Sequence, residues 1–162
     1  MIEIGSGLAT LLGAAVGAGA SFATISLQQR KERRNWWDST RKDGYVRFLG
    51  SSHAYFHALM DLRHGLKRSH ADIDGLYRHA NQLRSQMVMA AAEVDLVSPG
   101  RTREAAQRLM NHLSATNDTL FAAKRAGAGP SLAEYSDFDR EYQAVVDAFV
   151  TAAAADFAGA EG

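Results

Sequence analysis

The sequence predicts an all-α chain, an N-terminal transmembrane helix followed by an antiparallel four-helix bundle assembled from helical hairpins. Three observations carry this. Ile4 to Gln29 runs without one charged side chain and stops at Arg30-Lys31-Glu32-Arg33-Arg34. Beyond it, four segments place apolar residues at alternating spacings of three and four, the period of a helix face. Proline, the strongest helix breaker, occurs only at Pro99 and Pro130.

The charge-free stretch spans about 39 Å as a helix, against roughly 30 Å of bilayer hydrocarbon. Its Leu8, Leu11, Leu12, Val16, Phe22, Ile25 and Leu27 sit among many Ala and Gly. Length and lack of charge therefore weigh as much as hydrophobicity. Two other readings stand beside a span. Ala18-Gly19-Ala20 resembles a signal-peptide cleavage site, although Glu3 and no basic residue precede the apolar run. A buried Ala-rich helix of a soluble domain leaves the basic border unexplained.

The charges also set an orientation. Arg30 to Lys42 holds six basic and two acidic residues, +6 − 2 = +4, while only Glu3 lies ahead of the span. Positive-inside bias then predicts a single-pass cell-membrane protein with its C-terminal domain in the cytoplasm. The border residues Arg30, Lys31, Arg33 and Arg34 are placed to meet lipid head groups. Gly5, Ala9, Gly13, Gly17 and Ser21 recur every four residues, and Gly13 to Gly17 is a GxxxG. Such a small-residue face lets two helices pack closely in lipid and predicts a homo-oligomer.

The predicted organisation is an anchor over 1–29, a basic juxtamembrane helix over 30–44, a bundle domain over 45–158 and a frayed tail over 159–162. Trp37 falls in phase with the first core stripe and is expected to pack there. That helix, from about Trp36 to Arg68, carries Tyr45, Phe48, Ser52, Tyr55, Leu59, Leu62 and Leu66. The second is opened by Ser69 and Asp72 and carries Ile73, Leu76, Ala80, Leu83, Met87, Ala90, Val94 and Val97. Ser98 is expected to cap the third, with Pro99 at its first position. Its stripe is Thr102, Ala106, Leu109, Leu113, Thr116, Leu120 and Ala123, and Gly127-Ala-Gly-Pro130 ends it. A capping box of Ser131 and Glu134 opens the fourth, with Tyr135, Phe138, Tyr142, Val145, Phe149 and Ala152. The alternative architecture is a pair of long hairpins that complete their core only as a dimer.

Charge and composition narrow the function. Eighteen basic and eighteen acidic residues cancel, but Ser131 to Gly162 holds seven acids and one Arg. Most of these acids are expected on a solvated face. A neutral chain without a basic face bearing stacking aromatics is not built for nucleic acid. Without cysteine there is neither a disulfide framework nor a thiolate site. His53, His57, Asp61 and His64 share one face and are ordinary metal-ligand types. They lie opposite the core stripe, whereas bundle metal sites project inward from several helices. They are weak candidates beside an inert polar face. Met60, Met87, Met89 and Met110 read as core or boundary filler, and His112 as a boundary residue. No catalytic constellation and no cofactor motif is present.

Several stretches resemble small single-pass membrane proteins of high-GC actinobacteria. They are the Gly/Ala-rich span with its Arg-rich border, Tyr45-Val-Arg-Phe48-Leu49, Val94-Asp-Leu-Val-Ser-Pro99 leading into Arg103-Glu-Ala-Ala106, and Phe149-Val-Thr-Ala-Ala-Ala. The resemblance covers most of the chain. That family carries no assigned activity, so no residue role transfers. The expected function is a non-enzymatic, membrane-anchored cytoplasmic interaction or scaffold protein with an unidentified protein partner. The alternative is a membrane-active effector, holin-like or defensive, whose Gly-rich span oligomerises and permeabilises the bilayer.

Overall fold

The computed structural model describes the backbone of residues 5–68, 71–127 and 136–158. Within these ranges it describes the side chains of Glu32 and of residues 36 onward, Ser136 excepted. Four helices follow in order, α1 (Gly5–Lys67), α2 (Ile73–Val97), α3 (Gly100–Ala126) and α4 (Ser136–Ala158). No strand occurs among the described residues. The chain divides into two compact units, Met1–Ser39 and Thr40–Gly162.

Within the second unit the helices run up, down, up and down, as contacts between them establish. Along α1 and α2, Arg41 meets Val97 and Arg47 meets Glu93. Along α1 and α4, Tyr45 meets Asp156, Phe48 meets Phe149 and Phe56 meets Tyr142. Asp95 and Arg103 join α2 to α3, as Asp74 and Lys124 do near the other end. Thr102 and Asp156, then His112 and Glu141, join α3 to α4. Each pairing falls in one chain as it rises in the other, so every neighbouring pair is antiparallel.

The core follows the 3-4 stripes. Phe48, Ser52, Tyr55, Leu59 and Leu62 of α1 are fully buried, as are Ala80, Met87 and Val94 of α2, Leu109, Leu113 and Leu120 of α3, and Phe149 of α4. Burying one such large apolar side chain contributes about 1.5–3 kcal/mol. Stripe ends such as Leu66, Ile73, Leu76 and Phe138 are half-buried and pack against this cluster. Phe56, Ala58 and Met60 are buried too, outside the α1 stripe, and Phe56 stacks on Tyr142 of α4.

Several local expectations change. Trp37 is 45% exposed and Trp36 61% exposed, and their rings meet edge to face at 5.0 Å. Trp37 belongs to the first compact unit, and among the described side chains of α1 the first buried positions are Gly44 and Tyr45, in the second unit. Being in phase with the stripe does not by itself bury a residue. The first helix, expected from about Trp36, is the last part of a longer element. Ser98 does not cap α3. It is the C-cap of α2, its N–H donating to the Val94 carbonyl at 3.0 Å, and Pro99 stands at the α3 N-cap without a side-chain cap. The two-residue connection leaves one residue to end one helix and one to begin the next. Asp72 caps α2 by accepting from the Gly75 N–H at 2.8 Å, and the acid in the first turn is Asp74. Met89 is 65% exposed, because Met87 and Ala90 hold the inward positions around it.

Among the described residues no helix is long and apolar enough to cross a membrane. The side chains of Ile4 to Gln29 lie outside the described residues. So do those of the small-residue face (Gly5, Ala9, Gly13, Gly17, Ser21) and of the border residues Arg30, Lys31, Arg33 and Arg34. Ser69, the Ser131–Glu134 capping box, the Tyr135 side chain and the 159–162 tail are likewise outside them.

Two glycines should respond to alanine with opposite signs. Gly127 ends α3 at φ +62°, its N–H reaching the Ala123 and Lys124 carbonyls. Gly127→Ala is expected to destabilise by about 1 kcal/mol, since a Cβ disfavours the left-handed region. Gly50 is inside α1, exposed, with open space where a Cβ would lie. Gly50→Ala is expected to stabilise by up to about 1 kcal/mol. Urea midpoints of the two variants check both signs.

Candidate functional site

The 3-4 spacing of α4 runs Tyr142, Val145, Phe149, Ala152 and then lands on Asp156. An acid thereby occupies the next inward position. The Asp156 carboxylate accepts from the Tyr45 hydroxyl at 2.6 Å and from the Thr102 hydroxyl at 2.8 Å. Helices α1, α3 and α4 are tied by this one group. One turn before Tyr45, the Arg41 Nε donates to the Val97 carbonyl at 2.8 Å, satisfying an open acceptor at the C-terminus of α2. All four helices are thus clasped at the end of the bundle where α1 enters. Burial, followed by the hydrogen bond to Asp156, pushes the Tyr45 phenol up to about 12. The Tyr45 ring also lies edge-on to Phe149 and Phe157, at 5.8 and 5.9 Å.

Asp156 is one of the seven acids of the last segment, most of which were expected on a solvated face, and the sequence did not single it out. The signal was available in its register, seven residues after Phe149. The clasp lines none of the described grooves. Its chemistry is that of a carboxylate with two neutral donors, which positions helices.

Two further surfaces concern binding. Between α2 and α3, Val88, Ala91, Ala92, Ala106 and Met110 line a groove of about 170 Å³. Val88, Met89 and Leu96 of α2 are exposed, Leu96 by 83%. Between α3 and α4, Ala105, Ala148, Ala152 and Ala155 line a groove of about 330 Å³ beside Arg101, Glu104 and Arg108. Neither surface was anticipated, because periodicity locates the inward face and is silent about small side chains that leave a furrow.

Of the four histidine-face candidates, the fold brings two together. The Nε2 atoms of His53 and His57 are 2.9 Å apart, with ring centroids at 4.3 Å and planes at 85°. Asp61 and His64 are exposed further along α1. Among the described residues no group of three or more His, Cys, Asp or Glu is arranged to hold a metal ion. His112 is half-buried against Phe138, with Nδ1 at 3.8 Å from a Glu141 carboxylate oxygen, and so sits at a helix boundary as expected.

The interior holds Ser52, Thr102 and Thr116, as the stripes imply, and also Asn117, which they do not. Thr116 donates back to the His112 carbonyl at 3.0 Å. Among the described residues, the buried Ser52 Oγ, Tyr55 hydroxyl and Asn117 Oδ1 have no hydrogen-bond partner. None of these three residues lines a described groove. No protein family, curated protein or solved structure matches the chain.

Two expectations follow for the clasp. Asp156→Ala should cost about 2–3 kcal/mol and Tyr45→Phe or Thr102→Val about 1–2 each, since hydrogen bonds to a charged group contribute about 1.5–3. The double variant Tyr45→Phe/Thr102→Val should cost less than the sum, because both donors serve one carboxylate. Tyr45, Tyr55 and Tyr142 are each raised to about 12, burial being the first cause in all three. A phenol raised in the folded state contributes stability that is complete below its unfolded pKa, about 10, and lost between there and about 12. Tyrosinate absorbance should therefore rise for these three only as helical circular dichroism falls in that interval.

Proposed function

We propose that the chain is a membrane-anchored, non-enzymatic interaction protein, a scaffold or assembly subunit whose helical bundle lies in the cytoplasm. One observation carries this reading. The charge-free stretch and its basic border belong to the same helix, α1, that later supplies the central core stripe of the bundle. A bundle with its own core needs no further 26 uncharged residues to fold, and a basic border is what a cytoplasmic membrane edge selects. The resemblance to small single-pass actinobacterial proteins agrees with this and assigns no activity.

The binding side of the reading is supported by the exposed apolar residues of α2 and its groove with α3. Exposed Leu96, Met89 and Val88 are unusual on one helix face and mark the surface where a protein partner would seat. The GxxxG at Gly13 and Gly17 supports self-association through the span. The same motif is the feature that favours the second reading, a bilayer-permeabilising effector.

Fractionation with an alkaline carbonate wash tests the proposal. The full chain should stay in the membrane pellet, while the chain lacking residues 1–34 should be soluble and helical. Full-length protein in the soluble fraction would remove the anchor and both membrane readings. In the same cells, loss of membrane potential on overexpression of the full chain alone would favour the permeabilising reading.

A further inference from the structure

His53 and His57 are one helical turn apart on the outer face of α1, opposite the core stripe, and both are exposed. Their Nε2 atoms lie at 2.9 Å, so one ring donates to the other. With metal–nitrogen bonds of about 2.0–2.1 Å, two nitrogens 2.9 Å apart subtend about 90° at an ion placed between them. That is the cis angle of a tetragonal site and is narrower than the tetrahedral angle zinc prefers.

We propose that His53 and His57 form a two-imidazole chelate on the bundle surface for a divalent ion of tetragonal preference, with Cu²⁺ as its strongest ligand. Both Nε2 atoms supply lone pairs, and each ring then carries its proton on Nδ1. The donor ring of the pair changes tautomer through solvent when the ion enters. The planes stand at 85°, so a rotation of one exposed ring about χ2, a soft torsion, aims both lone pairs at one point. Water fills the remaining positions, since the described residues offer no third ligand of the His, Cys, Asp or Glu type. Helical spacing holds the first two ligands before metal arrives, which lowers the ordering cost of chelation. Among first-row divalent ions the nitrogen donors rank Cu²⁺ above Ni²⁺ and Zn²⁺.

The test is a Cu²⁺ titration of the full-length chain in non-ionic detergent, read by calorimetry and electron paramagnetic resonance. The expected result is one tight ion per chain, with hyperfine structure from two ring nitrogens. His53→Ala and His57→Ala should each weaken binding by about tenfold or more, because each converts a chelate into a single ligand. His64→Ala, an exposed histidine on the same helix, should bind as the parent does. Helical circular dichroism unchanged in both variants ties the loss to the ligands. Parent affinity retained in His53→Ala and His57→Ala, or a hyperfine pattern from one nitrogen, overturns the proposal.

Discussion

Everything in the bundle depends on one constraint, that the apolar stripe of α1 from Tyr45 to Leu62 has to be covered and cannot cover itself. A single helix in water gains little from its own backbone, and most of its stability comes from burying one face. Here Phe48, Tyr55, Leu59 and Leu62 become fully buried only because α2 and α4 flank α1 and α3 closes the ring. The stripes of those helices carry the same alternating spacing, so the four seams stay in register over several turns. The short connections, Ser98-Pro99 above all, leave no topology but up and down.

The side chains divide the labour along the bundle. Large aromatics gather where α1 meets α4, with Phe56 stacked on Tyr142 at 3.9 Å and Phe48 edge-on to Phe149 at 5.1 Å. Small residues such as Ala80, Ala90, Ala105 and Ala106 let the other helices approach. At the end where α1 enters, packing is supplemented by directed polar contacts, Asp156 with Tyr45 and Thr102, and Arg41 with Val97. Hydrophobic burial is tolerant of sliding by a turn, whereas a carboxylate with two donors on different helices is not. The clasp therefore fixes the axial register of α1, α3 and α4. At the opposite end Lys124 pairs with Asp74 and stands 5.0 Å over the Tyr77 ring. Lys124 holds the exposed Asp74 carboxyl below its usual range.

Much of this was legible in the sequence, for a physical reason. The helix period is fixed at 3.6 residues, so alternating three and four identifies an inward face, and the stripe residues of α1, α2, α3 and α4 with described side chains are buried or half-buried. Periodicity gives the direction a side chain takes and not whether a neighbour covers it, and Trp37 is exposed despite its phase. Nor could periodicity separate an acid facing solvent from one at an inward position. Asp156 continued the α4 repeat, but its partners Tyr45 and Thr102 are distant in sequence. Ser98 failed as an α3 cap because the turn is so short that the residue was already engaged in ending α2. The histidine face was read correctly as solvent-facing. Only side-chain geometry shows that His53 and His57 meet.

The central functional claim is a chain that crosses the bilayer once and keeps its bundle inside. The absence of cysteine makes this directly measurable, since any introduced thiol is the sole target for a maleimide. Ile2→Cys stands before the charge-free run, and Ala154→Cys on the exposed face of α4. With a membrane-impermeant maleimide, Ile2→Cys should be labelled in intact cells and Ala154→Cys only after the membrane is opened. Labelling of both positions only after opening, or of Ala154→Cys in intact cells, would contradict this topology.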